Sequence, residues 1–209
     1  MLKAVSGLFL LSIILFLFSC AAPRVEMPVY EGIGVEDALR SKNSISAIET
    51  TFSITLEKDD TEMKGDGVLN ISRNGNLTLR VYSFGFLAFE LILENGIIKS
   101  VPVIDRNKVT ILTYGLRDCL FWWNIKDFKI YEKEGVYLLK NLSRSLWIDR
   151  KTMFPIKQTV FLKEGSELNI QYGNPEKAGD IWYPSNIKID LSEYSVTLKI
   201  KEISFVPDV

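Results

Sequence analysis

From Thr50 to Phe205 the chain repeatedly alternates apolar and polar residues, and a period of two marks a β-strand with one buried face. Phe52, Ile54 and Leu56 alternate with Ser53 and Thr55, and Leu77, Leu79 and Val81 with Thr78, Arg80 and Tyr82. Turn residues punctuate these runs at Lys58-Asp59-Asp60, Arg73-Asn74-Gly75-Asn76 and Glu94-Asn95-Gly96. Asn-Gly, present in the last two, favours the tight hairpin turn whose central residues need positive φ. The pattern predicts antiparallel strands at 63–72, 76–83, 86–94 and 97–104. It resumes later at 127–132, 136–141, 145–149, 156–162, 167–172, 183–191 and 194–205, with turns at Glu134-Gly135, Lys163-Glu164-Gly165 and Ser192-Glu193. So many strands with short connections form a meander that must curve strongly or close.

Two stretches break the rhythm. Val35, Leu39, Ile45 and Ile48 fall near one helical face, Glu36 and Asp37 occupy a first turn where acids suit the dipole, and Ser44 is placed to recap after a break at Asn43. Leu116, Cys119, Leu120 and Trp123 repeat at i, i+3, i+4, i+7, with Phe121 and Trp122 off that stripe. A helix apolar around much of its girth is buried deeply or covers something greasy. The expected fold class is mainly β with a few helices, built as a single curved antiparallel sheet.

Composition removes several functions. The chain has no histidine, which excludes Ser-His-Asp and Cys-His catalysis and the usual zinc and non-haem iron sites. A formal charge of −1 argues against nucleic acid, which needs a basic stripe. Glu57, Asp59, Asp60 and Glu62 read as a solvated acidic loop. Gly65-Asp66-Gly67 lacks the Lys-Ser/Thr of a phosphate-binding loop and is expected to form a bulge or turn within a strand. Pro155 and Pro184 are expected to begin strands. The expectation is no enzyme activity, no metal site and no cofactor. Trp122, Trp123, Trp147 and Trp182 fit either ordinary core or the wall of an apolar cavity.

The N-terminus has the layout of an export signal, with Lys3 followed by an apolar run from Leu8 to Phe18 broken by Ser12. A membrane-spanning helix needs ~20 apolar residues, more than this run supplies before Ala21-Ala22-Pro23-Arg24. Leu17-Phe18-Ser19-Cys20 resembles the bacterial lipobox, in which the chain is cut before a cysteine that is then acylated; Phe18 departs from the small residue usual at that position. The division expected is a signal peptide at 1–19, a lipidated N-terminus and flexible tether at 20–34, and one domain at 35–209. Acylation would consume Cys20 and leave Cys119 alone, expected to be a buried small hydrophobe.

Three stretches together resemble the LolA/LolB-like superfamily. They are Gly65 to Ile71 followed by Leu77 to Val81; Trp147-Ile148-Asp149-Arg150-Lys151-Thr152-Met153-Phe154-Pro155-Ile156-Lys157; and Ile181-Trp182-Tyr183-Pro184-Ser185-Asn186-Ile187-Lys188-Ile189. The resemblance implies a half-open antiparallel β-barrel with helices plugging the opening and an apolar concave face that holds acyl chains. Cys20 would group the chain with the lipidated, LolB-like kind, anchored in the outer membrane and facing the periplasm. Ser83-Phe84-Gly85-Phe86-Leu87 takes the place of that kind's protruding apolar loop. Phe84, Phe86 and Leu87 are thus candidates for contact with membrane or cargo; alternatively Phe86 and Leu87 begin the next strand and face the core. The candidate cavity lining is Phe52, Ile54, Leu79, Val81, Leu91 and Leu93 with Leu120 and Trp123; a one-residue slip would turn the other strand face inward.

The implied function is binding of acyl chains or lipoproteins and their delivery to the outer membrane by a monomer. Its partners would be membrane lipid, the lipid or lipoprotein cargo and a periplasmic carrier protein. The competing function is an envelope sensor or assembly protein that uses the same fold to bind a protein. An open, continuous apolar cavity would favour the first, and a packed barrel with an exposed polar groove the second.

Overall fold

The computed structural model describes residues 27–30, 32–162 and 165–208. The candidate signal peptide and Cys20 lie outside the described residues, as do residues 163–164 of one expected turn.

A short helix, α1 (Val35–Arg40), leads into β1 (Ile45–Lys58), β2 (Thr61–Ser72), β3 (Leu77–Ser83), β4 (Phe86–Glu94) and β5 (Ile97–Val101). A helical segment follows: α2 (Arg106–Thr110), a π-helical turn (Ile111–Gly115) and α3 (Leu116–Leu120). The rest is β6 (Lys129–Lys133), β7 (Val136–Lys140), β8 (Arg144–Asp149), β9 (Pro155–Phe161), β10 (Glu167–Ala178), β11 (Ile181–Leu191) and β12 (Tyr194–Pro207). All twelve strands join one antiparallel sheet in the order β5-β4-β3-β2-β1-β12-β11-β10-β9-β8-β7-β6.

That order is two meanders fused where the first strand pairs with the last. β1 runs beside β12 from Ile45 opposite Pro207 to Lys58 opposite Tyr194. The free edges are β5 and β6, the strands that flank the helical segment in sequence. The barrel stays half-open because the chain between those strands folds over the concave face. Asp105 caps α2 by accepting from the Lys108 N–H at 3.0 Å and also accepts from the Tyr194 hydroxyl at 2.8 Å, which ties the helix start to β12.

Several expectations change. Ile45 and Ile48 lie in β1, not on a helical face, because α1 ends at Arg40. Both are nonetheless buried, since a bulge sets Ile45 opposite Pro207 but Ala47 opposite Val206 and brings two residues three apart to one face. α3 stops at Leu120, so Trp123 sits beyond the helix, although it is buried with Phe121 and Trp122. β5 ends at Val101 and β10 continues to Ala178. Pro184 is the fourth residue of β11 and faces Pro175, where β10 and β11 project past β9 and β12 and neither proline is asked for a bond to a third strand. Pro155 does begin β9.

Gly65 and Gly67 sit in regular β2 with no register shift against β1, so they make neither bulge nor turn. Their missing side chains allow close approach. A Cβ on Gly67 would stand 2.3 Å from the ring of buried Phe52, and one on Gly65 2.5 Å from the Tyr82 carbonyl oxygen.

Candidate functional site

Alternation along β1, β3 and β4 turns Phe52, Ile54, Leu79, Val81 and Leu91 inward, all buried, with Leu93 partly buried against the same core. Leu120 and Trp123 are buried opposite them. In this structure the face is covered. Ile111, Leu112, Leu116, Cys119, Phe121 and Trp122 fill the concavity as part of one continuous core. At Gly115 the helical segment lies so close to the sheet that a Cβ would be 3.1 Å from Ile189 and 3.4 Å from Leu168. Gln158 adds a buried tie by donating to the Asp118 carbonyl at 3.3 Å. Burial pushes the Cys119 thiol far above its ordinary pKa, with Asp118 adding to the effect, so this side chain packs as a small hydrophobe.

At the β3–β4 hairpin the apolar pattern turns outward. Ser83 pairs with Phe86, which leaves Phe84 and Gly85 as a two-residue turn with φ of 50° and 81°. Phe84 is 99% exposed, Phe86 78% and Leu87 52%. Phe86 and Leu87 do begin β4, yet they do not face the core; a register shift after Val81 delays burial to Phe89. The neighbouring hairpin supplies a control within the same sheet. Asn95 and Gly96 adopt φ of 50° and 79°, almost the same turn, with the residue that left-handed backbone favours. A phenylalanine in that position puts an apolar ring into solvent on backbone that asparagine adopts with less strain.

A third feature was missed by sequence reasoning. The β2–β3 turn, the end of α3 and the β7–β8 turn enclose a polar groove of about 510 Å³ lined by residues including Arg73, Arg117, Asp118, Lys126 and Arg144. A local signal existed in the charged pair Arg117-Asp118 within an otherwise apolar run. Asp118 is buried with its carboxylate between Arg117 and Arg144, each at 2.9 Å. Among the described residues no cluster of acidic and cysteine side chains could hold a metal ion, and no helix is long and apolar enough to cross a membrane.

No family model matches the chain, and no curated protein matches it by sequence. Solved structures do match by shape. A LolA superfamily protein from Nitrosomonas europaea aligns with a TM-score of 0.53 at 10% identity, over 85% of this chain and 96% of its own. The fold is LolA-like. A Vibrio parahaemolyticus domain described as an outer membrane lipoprotein-sorting protein superposes with a TM-score of 0.53 at 13% identity, over 84% of this chain and 92% of that one. A DUF1329 family protein from Desulfovibrio piger gives 0.50 at 8% identity, over 86% and 94%. Within the LolA-like fold of this chain, the apolar concavity lies under its helical cover and the hairpin tip faces outward.

Proposed function

We propose that this protein is a lipid-anchored envelope lipoprotein that holds acyl chains or lipoproteins against its concave face and assists their delivery to the outer membrane. No catalysis enters this reading, and no cofactor beyond the acyl chains on Cys20. The observation that carries it is Phe84, exposed on strained backbone at a turn where asparagine would be stable. The LolA-like fold adds support through the apolar face that its cover conceals. The mechanism is physical. Each acyl CH₂ kept from water contributes ~0.8 kcal/mol, and a bilayer returns the same benefit, so release at the membrane is not opposed.

The test is transfer of a fluorescent acylated peptide from the purified protein to phospholipid vesicles. Phe84→Glu should bind the peptide as the parent does but fail to deliver it. Phe84→Asn should also fail to deliver while raising stability by about 1 kcal/mol, because it relieves the turn. Unchanged delivery by both variants would overturn the assignment. A second reading, a sensor or assembly protein, is favoured by the helical segment, whose buried residues fill the concave face in this conformation.

A further inference from the structure

The groove between the β2–β3 and β7–β8 turns is organised around charge that its own residues do not balance. Arg144 donates through Nη2 to Asp118 Oδ1 at 2.9 Å, and its side chain is 11% exposed. Its Nη1 is buried with no acceptor among the described residues. Arg117 donates through Nε to the same Oδ1 at 2.9 Å and lays its guanidinium against the Tyr114 ring at 5.0 Å. Two guanidinium groups thus share one carboxylate oxygen, Arg144 largely out of water and Arg117 partly exposed, and with Asp127 and Lys126 also lining the groove the charge there remains positive. Such a charge calls for an anion, and Arg117 is the more exposed of the two guanidinium groups that line the groove.

Further donors stand at the same groove. Lys126 and Asn124 line it, and among the described residues neither side chain has a hydrogen-bond or ion-pair partner. Asn74 lines it too; its Oδ1 already accepts from the Ser72 hydroxyl and the Asn76 N–H, which leaves its amide NH₂ as a donor. Arg73, by contrast, is occupied by Asp208 and the Asn43 carbonyl. These donors outnumber the two oxygens of a carboxylate and suit the three or more of a phosphate, which arginine recognises in forked geometry. The exposed side chain of Leu142 adds apolar surface at the same groove.

We propose that this groove binds a phosphate group, with Arg144 and Arg117 as its anchors and Lys126 closing over it. The groove lies outside the apolar interior, so the assignment does not rest on the carrier reading. The apolar rim favours a phosphate ester that carries a short alkyl chain over the free ion.

Calorimetric titration of the full chain with three probes tests this: inorganic phosphate, dihexanoyl phosphatidylglycerol, and dihexanoylglycerol, which lacks phosphate. Both phosphate-bearing probes should bind and compete with one another, and the phosphate-free lipid should not displace them. Tighter binding of the phospholipid identifies a headgroup as the source; equal binding identifies free phosphate, and both outcomes support a phosphate site. Arg144→Gln should weaken binding about tenfold, the scale of one charge-assisted hydrogen bond. Because that change also frees the Asp118 charge, Arg117→Gln serves as the second variant. It leaves the Arg144–Asp118 pair in place and should weaken binding several-fold at an unchanged thermal midpoint. Failure of both phosphate probes to bind, equal binding of the phosphate-free lipid, or affinity unaltered in both variants would overturn the proposal.

Discussion

Lys42 carries the most costly buried charge outside the groove. It follows α1 and reaches over Trp122 and Trp123, with its ammonium 5.7 and 5.6 Å from their ring centroids. Burial lowers its pKa from 10.5 to about 8. Between those two values the unfolded chain binds more protons than the folded one, so stability rises with pH across that window and the full penalty stands below pH 8. The penalty is on the order of 2–3 kcal/mol at neutral pH. Lys42→Met keeps the length of the side chain without the charge, and should raise stability at pH 7 by a similar amount. Urea melts at pH 7, 8.5 and 10 check this. The advantage of the variant should shrink toward the alkaline end; an advantage that stays constant with pH would show that the charge is not its source. At this scale the sequence was most legible where chemistry is local. Phe84 stood out because the following glycine marks a turn, and Cys119 because an unpaired cysteine in an apolar run packs as a hydrophobe. The Arg144–Asp118–Arg117 cluster was illegible because its members come from β8 and α3, and no local pattern states that those elements meet.

β2 shows the same division between local and long-range information at the level of elements. Its alternation announces a strand, but the reason for Gly67 lies on β1, where Phe52 occupies the space that a Cβ would take. Phe52 is fully buried and has no room to yield. Gly67→Ala should therefore cost about 1–3 kcal/mol, the usual scale of overpacking. A double-mutant cycle with Phe52→Leu is the measurement. The smaller side chain should recover part of the loss, whereas strictly additive effects would place the strain elsewhere. Strands in general were legible because one buried face imposes period two, and most of their turns because Asn and Gly adopt positive φ easily. Element ends were less so. The bulge at Ile45 mimics helical spacing, and β10 and β11 outrun their apolar pattern because their far ends form a two-stranded ribbon.

For the molecule as a whole, the pairing of β1 with β12 leaves β5 and β6 as edges, and the helical segment occupies the gap between them. Alternation could announce the sheet and its curvature, but which strands stay unpaired depends on that single long-range pairing. The same arrangement sets the test between the two functions. Uptake of an acyl chain requires the helical segment to leave the concave face, since the core is filled when it is seated. The polar ties of the segment include Asp105 to Tyr194, Gln158 to the Asp118 carbonyl and the buried Arg144–Asp118 ion pair, while β1 and β12 are paired along almost their whole length. A ligand that prefers a form with this segment displaced shifts the population toward that form. Hydrogen exchange with and without a single-chain acyl ligand measures that shift. Amides of 111–120 should lose protection when the ligand binds, and those of β1 and β12 should keep theirs. If binding leaves 111–120 as protected as before, the cover is a fixed part of the core. The concave face is then closed to cargo, and recognition must take place on the outer surface, as the sensor reading requires.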